Sequence, residues 1–257
     1  MPQKPLHRSA VLAIVAIALA LGLVAFFFLR EPPATPEAAP IEAGAPLASL
    51  PPERYRIPVS VSQPTRGATD ALVTIVEWCD LPDPGCAAVE PEIDALQASK
   101  PDAVRVVFRH FARGNDSSAL AHAFAREAHE QGGKFWQARE LLQAHQGPLG
   151  MDDVERYTGQ LGLNFPDIKA AIDKQTHVST IVADGMFAAM FEVKDAPALF
   201  VNGRSIGSPP SAQVLRQLVA EELVQASRLV GGGVPVADVY AELIKHGKWI
   251  RPSKATP

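Results

Sequence analysis

The sequence predicts an α/β protein in which a block of helices interrupts a mixed central sheet. Two apolar, β-branched segments, 72–78 and 104–110, flank one helical segment, and this order predicts a parallel β-α-β unit with a right-handed crossover. Several helical patterns follow. They end at two short apolar segments joined by Asn202-Gly203, a pair typical of a type I′ turn between antiparallel strands.

Composition and charge exclude several classes of protein. The 257 residues are 47% apolar and 20% charged, which is ordinary for a globular protein and ample for one large core. The first thirty residues hold three basic side chains and no acidic one, which leaves 21 basic against 28 acidic residues in the rest. This acidic balance argues against nucleic acid as a partner. Two cysteines are too few for a disulfide framework or a multi-cysteine zinc site, and we expect no metal and no cofactor.

The N-terminal segment predicts a membrane anchor. Ser9–Leu29 is an uncharged run of 21 residues, and about 20 apolar residues span a bilayer. Lys4 and Arg8 precede the run, which predicts residues 1–8 in the cytoplasm and the rest of the chain outside it. The run ends in FFFLR rather than in a small-x-small cleavage site, so an uncleaved signal anchor is favoured. We therefore expect a single-pass inner-membrane protein whose body lies in the periplasm, where a disulfide can form.

Four regions follow from this assignment. Residues 30–52, after the transmembrane segment, are rich in Pro and Ala and are interpreted as a semi-extended linker. Residues 53–247 form the predicted folded domain, with a helical insertion at about 114–192. Residues 248–257 are a short polar tail.

The first half of the domain alternates between strands and a helix. Apolar residues alternate over 54–61, where Pro58 restricts a strand to the edge of a sheet. The continuous apolar segment 72–78 predicts a buried strand. A helix over 84–99 and a second buried strand over 104–110 complete the β-α-β unit.

The second half of the domain is mainly helical. Apolar periodicity, Gly breaks and polar capping residues mark the boundaries of its elements. The predicted helices cover 117–131, 134–144, 151–162, 165–176 and about 178–190; the hairpin strands cover 198–201 and 204–206; the closing helix covers 211–229, and one short helix follows Gly231-Gly232-Gly233.

Particular segments resemble a known family. Residues 71–91 read ALVTIVEWCDLPDPGCAAVEP, and residues 195–204 read DAPALFVNGR. With RVVFRHF at 105–111 and GKFWQARELL at 133–142, they resemble the DsbA-like branch of thioredoxin-fold proteins over about residues 59–229. The resemblance implies a thioredoxin-like fold with an inserted helical domain and thiol–disulfide oxidoreductase activity. It also implies extended or unfolded protein segments as partners, and a membrane redox partner.

The sequence departs from that family at the active-site loop. Where the family has Cys-x-x-Cys, this chain has Asp83-Pro84-Gly85-Cys86, so the attacking thiol is replaced and only the resolving position is kept. Asp83 is a good helix N-cap and Pro84 a good first helical residue, so the helix start is intact. A carboxylate cannot replace a thiolate in disulfide exchange. Whether the chain is an enzyme therefore stays open at this point.

Three interpretations of the two cysteines are open. Cys79 and Cys86 are both small buried apolar residues, or they form a disulfide with each other, or Cys86 acts alone as a monothiol. Strand alternation places Glu77 and Cys79 on one face of the sheet, where the resemblance also places Cys86.

Glu77 and Pro197 take their expected roles from the resemblance. In the family, the carboxylate that matches Glu77 relays protons to the resolving thiol; a local hydrogen-bonding role is the alternative. The Ala196–Pro197 peptide bond is expected to be cis and to lie beside the Cys86 loop. In relatives this backbone pairs with an extended substrate peptide.

Two of the seven histidines lie on one predicted helix. His122 and His129 lie two helical turns apart, a distance too long for both to bind one metal ion, so we interpret both as solvent-exposed.

Two hypotheses about function follow from the sequence. The first hypothesis is a thiol–disulfide oxidoreductase of unusual type that uses Cys86, with or without Cys79. The second is a module that binds extended polypeptide beside Pro197 and exchanges no disulfide, as a chaperone or assembly partner would.

Overall fold

The structure is a computed structural model, and it describes residues 53–207 and 211–249. The predicted transmembrane segment 9–29, the linker 30–52 and the last eight residues of the tail lie outside the described residues. Among the helices that are described, none is long and apolar enough to cross a membrane.

A five-stranded mixed sheet forms the centre of the domain. Its strands lie in the order β1-β3-β2-β4-β5, with β2 and β3 parallel and the other neighbours antiparallel. The predicted α/β class is confirmed. Asn202 and Gly203 have φ angles of 46° and 82°, and both are positive as a type I′ turn requires. The strands are β1 (Thr65–Arg66), β2 (Val73–Cys79), β3 (Val104–His110), β4 (Ala198–Val201) and β5 (Arg204–Ser205).

Eight α-helices surround the sheet in the described part of the chain, and five of them lie between β3 and β4. Their bounds agree with the predicted ones to within three residues. The helices are α1 (Pro84–Ser99), α2 (Asp116–Gly132), α3 (Phe135–Ala144), α4 (Met151–Leu161), α5 (Phe165–Asp173), α6 (Val178–Met190), α7 (Ala212–Gly231) and α8 (Val239–Ile244), with a 3-10 turn at Val236–Asp238 before α8.

The predicted strand over 54–61 is wrong. In this segment only Tyr55 forms a bridge, and its partner is Lys248 near the end of the chain. The Tyr55 N–H donates to the carbonyl of Gly203 at 2.7 Å, and the Arg56 N–H donates to the carbonyl of Lys248 at 2.9 Å. These two partners lie in different parts of the chain, and Pro58 has no N–H to continue a ladder. The edge position beside β3 belongs instead to β1.

The two faces of β2 pack against different helices. Val73 and Ile75 share a buried cluster with Leu218 of α7, while Val76 and Trp78 share another with Ala188 of α6. Because side chains alternate along a strand, Glu77 and Cys79 point to the same face as Val73 and Ile75. Helix α1 also packs over this face. This alternation places the end of β2 beneath the start of α1.

Candidate functional site at the disulfide and the cis-proline loop

The start of α1 is built as its sequence predicts. Asp83 is the N-cap residue, and its Oδ1 accepts a hydrogen bond from the backbone N–H of Cys86 at 3.0 Å. Pro84 occupies the first helical position, where the lack of an N–H costs nothing. The carboxylate therefore satisfies one of the free donors of the first turn.

Cys79 and Cys86 form a disulfide. Their Cα atoms are 5.8 Å apart, which is within the usual range for such a bond. The bond joins the last residue of β2 to the first turn of α1, and both cysteines are 0% exposed. Of the three interpretations of the cysteines, the structure shows the bridge. Neither cysteine is therefore accessible to solvent in this conformation.

Glu77 is held in a buried ion pair. Its two oxygens accept from the Arg139 guanidinium at 2.6 and 2.9 Å. Arg139 also contacts Glu90 of α1, and all three side chains are buried. Burial and repulsion from Glu77 raise the pKa of Glu90 to about 8. Sequence reasoning missed Arg139, although a cation on an otherwise apolar face of α3 is a signal that it needs a buried partner.

The Ala196–Pro197 bond is cis, and Pro197 lies against the active-site loop. A Cβ atom added at Gly85 would lie 3.2 Å from Cδ of Pro197 and 2.9 Å from Oδ1 of Asp83. The close approach explains the glycine, because any side chain at this position meets the proline ring or the capping carboxylate. The two loops that the resemblance brings together are therefore in direct contact.

Arg113 links these two loops by its side chain. Its Nη2 atom lies 3.1 Å from Oδ2 of Asp83, 2.8 Å from Oδ1 of Asp195 and 3.0 Å from the carbonyl oxygen of Ala196. The N–H of Ala196 donates to Asp195 at 2.9 Å. Both backbone groups of Ala196 thus have partners within the chain. Arg113 lies in an irregular loop after β3, where periodicity carries no signal, and sequence reasoning missed it.

A buried hydrogen-bonded chain lies next to the site. Oδ1 of Asp80 is 2.7 Å from the Ser118 hydroxyl and 3.0 Å from Nε2 of His122, and Nδ1 of His122 is 2.7 Å from Nδ1 of His110. The prediction that His122 is solvent-exposed is wrong, because it is fully buried against Asp80; His129 is half-buried. In the part of the chain that is described, no group of three His, Cys, Asp or Glu side chains is placed to hold a metal ion.

Comparisons with known proteins agree with this architecture. A family model described as thioredoxin matches residues 60–221. Oxidised BdbD from Bacillus subtilis superposes with a TM-score of 0.59 at 21% identity, over 66% of this chain and 98% of that one. The thiol-disulfide exchange protein alpha-DsbA2 from Wolbachia pipientis superposes with a TM-score of 0.58 at 18% identity, over 63% and 88% of the two chains. At 21% and 18% identity, these superpositions show that the fold is shared.

Curated relatives of higher identity are longer proteins. The Na(+)/H(+) antiporter NhaA 3 of Salinispora tropica is 31% identical over 169 residues, which are 65% of this chain and 26% of that protein. The Na(+)/H(+) antiporter NhaA 1 of Mycolicibacterium gilvum is 31% identical over 219 residues, which are 83% of this chain and 33% of that protein. The chain thus spans about a quarter to a third of the length of these relatives.

Proposed function

This chain belongs to the thioredoxin family, and we propose that it is a DsbA-like, membrane-tethered extracytoplasmic module that binds extended polypeptide without exchanging disulfides with it. One observation carries the proposal. The position of the attacking thiol holds Asp83, while the two sulfurs of the chain are bonded to each other and buried.

Disulfide exchange needs a thiolate that can reach a sulfur of its partner. Neither Cys79 nor Cys86 offers one in the oxidised protein, and the Asp83 carboxylate is engaged by the Cys86 N–H and by Arg113. We therefore assign the bridge a structural role. It fastens the start of α1 to the end of β2.

Polypeptide binding would use the backbone of Ala196. An added strand would donate an N–H to the carbonyl of Ala196 and accept from its N–H. Arg113 and Asp195 hold these groups now, but they are 39% and 67% exposed as side chains. An incoming strand can displace them without uncovering buried charge, and Arg113 keeps its ion pair with Asp83.

The tether places this module near a membrane. Residues 9–29 would span the cytoplasmic membrane, and a Pro-rich linker of 23 residues reaches roughly 70 Å when extended, at about 3.1 Å per residue. An oxidising compartment would keep the Cys79–Cys86 bond formed. The curated relatives are named as ion antiporters, which are membrane proteins, and this supports the placement.

Binding to an unfolded polypeptide tests the proposal. The full chain in detergent would be titrated against a fluorescent, permanently unfolded, cysteine-free polypeptide, with anisotropy as the readout. We expect the wild type and the Cys79→Ser/Cys86→Ser variant to bind alike. Pro197→Thr should bind more weakly, and Arg113→Gln more tightly because it removes the internal competitor for Ala196.

The control is Arg156→Gln, which removes an exposed arginine of α4 that pairs with Asp153. It should bind as the wild type does, and circular dichroism would confirm that each variant is folded. No binding by the wild type, or binding that disappears with the two cysteines, would contradict the proposal.

Redox activity is the second candidate, and the disulfide itself favours it. A thiol–disulfide oxidoreductase with the non-standard loop Asp83-Pro84-Gly85-Cys86 could use Cys79 in place of the lost thiol. Equilibration of the full chain in redox buffers, followed by alkylation and mass spectrometry, separates the candidates. A structural bond should have a potential below about −300 mV, whereas a value near −200 mV would indicate a working redox pair.

A further inference from the structure

A second cavity lies between α2, α6 and the end of β3. Its volume is about 280 Å³, and its wall includes Arg109 and His110 of β3, Arg126 of α2, and Ser179 and Thr180 of α6. We call it the α6 cavity. Among the described residues that line it, none belongs to the disulfide, to its loop or to the cis-proline loop. Its lining residues are therefore distinct from those assigned to polypeptide binding.

The first turn of α6 opens into this cavity. The helix has 13 residues and begins at Val178, so Ser179 and Thr180 lie in its first turn. Backbone N–H groups at this end of a helix have no intrahelical acceptor and carry the positive end of the helix dipole. No side chain caps them here. Two hydroxyl groups and a helix N-terminus thus offer hydrogen-bond donors at one wall, an arrangement that suits an anion.

Two buried arginines strengthen this preference. Arg109 and Arg126 are 5% and 7% exposed, and each has a buried Nε with no partner among the described residues. Arg126 pairs with Glu130, which is outside the wall. Asp184 is in the wall, but its oxygens already accept from Nη1 of Arg109 at 2.7 Å and from the His110 N–H at 3.0 Å. Each arginine thus has one carboxylate partner and one backbone carbonyl partner, which is Pro58 for Arg109 and Ser62 for Arg126, and its Nε–H is the donor left for a ligand.

His110 adds an acceptor to this set of donors. Nδ1 of His110 lies 2.7 Å from Nδ1 of His122, whose Nε2 contacts both the Asp80 carboxylate at 3.0 Å and the Leu81 N–H at 3.4 Å. Because the Asp80 contact is the shorter of the two, we assign the tautomer in which Nε2–H of His122 donates to Asp80 and Nδ1–H of His110 donates to His122. Nε2 of His110 is then a lone pair, and it is buried with no partner among the described residues. Burial, the largest cause, holds the pKa of His110 well below its usual range, so the ring stays neutral.

We propose that the α6 cavity binds a small oxyanion that carries a proton, of the phosphate or phosphomonoester class. The arginines and the first turn of α6 bind its oxygens, and Nε2 of His110 accepts its O–H. Sulfate has no proton at neutral pH and leaves His110 unpaired, so the cavity discriminates against it. The same arrangement of donors with one acceptor would bind the free anion or a small ester.

Thermal unfolding of the full chain in detergent tests this site. Inorganic phosphate, sulfate or chloride would be added at constant ionic strength. We expect phosphate to raise the melting temperature with saturation, since a ligand that binds only the folded state stabilises it. Sulfate should bind about tenfold more weakly or worse, because it leaves a buried acceptor unpaired. A parallel titration with glycerol 3-phosphate assigns the preferred form, ester or free anion.

Substitutions in the wall of the α6 cavity test whether phosphate binds there. Arg126→Gln and Thr180→Val should each lower the affinity for phosphate by about tenfold, the cost of one hydrogen bond to a charged group. Thr180 is exposed and Val has nearly its shape, so this variant keeps the test valid if Arg126→Gln fails to fold. Arg156→Gln on the far helix α4 should have no effect. The proposal is overturned if phosphate acts as chloride does, if sulfate equals phosphate, or if Thr180→Val binds phosphate unchanged.

Discussion

Asp83 begins α1 and links this helix to a second loop. As the N-cap of α1 it accepts from the Cys86 N–H, and it also pairs with Arg113 of the loop after β3. A thiolate at this position would be stabilised by the same helix terminus. With the register that the resemblance implies, the chain therefore keeps a well-capped helix start at the position where the family has its nucleophile.

Restoring the thiol at this position should restore exchange chemistry. In a Cys79→Ser background, Asp83→Cys places a thiol beside Cys86 in a Cys-Pro-Gly-Cys loop that faces Pro197. We expect measurable insulin reduction where the parent has none. The control is Asp83→Ser in the same background, which keeps a helix cap but no second thiol. An Asp83→Cys variant as inactive as that control would contradict the register assigned to residues 83–86.

Glycine is required at position 85 because a side chain there would clash with its neighbours, and not because of its backbone conformation. Its added Cβ would lie 3.2 Å from the Pro197 ring, so Gly85→Ala should lower the free energy of unfolding by roughly 1–3 kcal/mol, as overpacking does. Gly159→Ala in α4 is the matched control. No atom lies within 4 Å of its added Cβ, and it should stabilise the helix by about 0.5–1 kcal/mol. Urea denaturation measures both, and equal effects would contradict the packing argument.

At the scale of elements, buried ion pairs join parts of the chain that local patterns do not connect. Glu77 of β2, Glu90 of α1 and Arg139 of α3 form one buried group, and Arg66 of β1 extends it at 2.8 Å from Glu90. This group lies beneath the first turns of α1. It neutralises the carboxylate that the resemblance assigns to proton relay, and it holds the helical insertion on the sheet.

Removing the cation of this group should destabilise the domain strongly. Arg139→Met leaves Glu77 buried without its partner, while Glu90 keeps its pair with Arg66, and we expect a loss of roughly 3–5 kcal/mol in the free energy of unfolding. Arg216→Met is the control, since Arg216 pairs with Glu92 at the surface and its loss should cost less than about 1 kcal/mol. Similar losses for the two variants in chemical denaturation would show that the buried group is not a stabilising link.

At the scale of the whole domain, stability should depend on pH through two buried groups whose pKa values are shifted in opposite directions. The pKa of Glu90 is raised to about 8, so between pH 4.5 and 8 the folded state holds a proton that the unfolded chain has lost. Stability therefore falls as the pH rises through this window, by up to about 1.4 kcal/mol per unit. The pKa of His110 is lowered from 6.5, so below that pH the unfolded chain binds a proton that the folded state does not. The stability that His110 contributes is therefore lost as the pH falls below 6.5.

Denaturation midpoints between about pH 7 and 9 isolate the carboxyl group, because His110 is then neutral in both states. The wild type should lose stability up to about pH 8 and level off above it, and Glu90→Gln should abolish this slope. Glu92→Gln, two residues along α1 and nearer the surface, should retain it. A slope that persists in Glu90→Gln would assign the dependence to another group.

Local patterns account for most of the elements. The helix caps, the Gly breaks and the Asn202-Gly203 turn act within a few residues, so the bounds of α1 to α7 and the hairpin could be predicted. The segment 54–61 could not, because its backbone partners, Gly203 and Lys248, are far along the chain. Burial of His122 escaped prediction for the same reason, since Asp80 lies 42 residues away.

The sequence by itself determined the α/β class and the intact start of α1, because each depends on residue type and short spacing. Only the tertiary structure decided that Cys79 and Cys86 are bonded and buried, that Arg139 neutralises Glu77, and that Arg113 occupies the carbonyl of Ala196. The last two pairs are separated by 62 and 83 residues. Contacts over such distances depend on how the helical insertion packs on the sheet, and no local pattern encodes that packing.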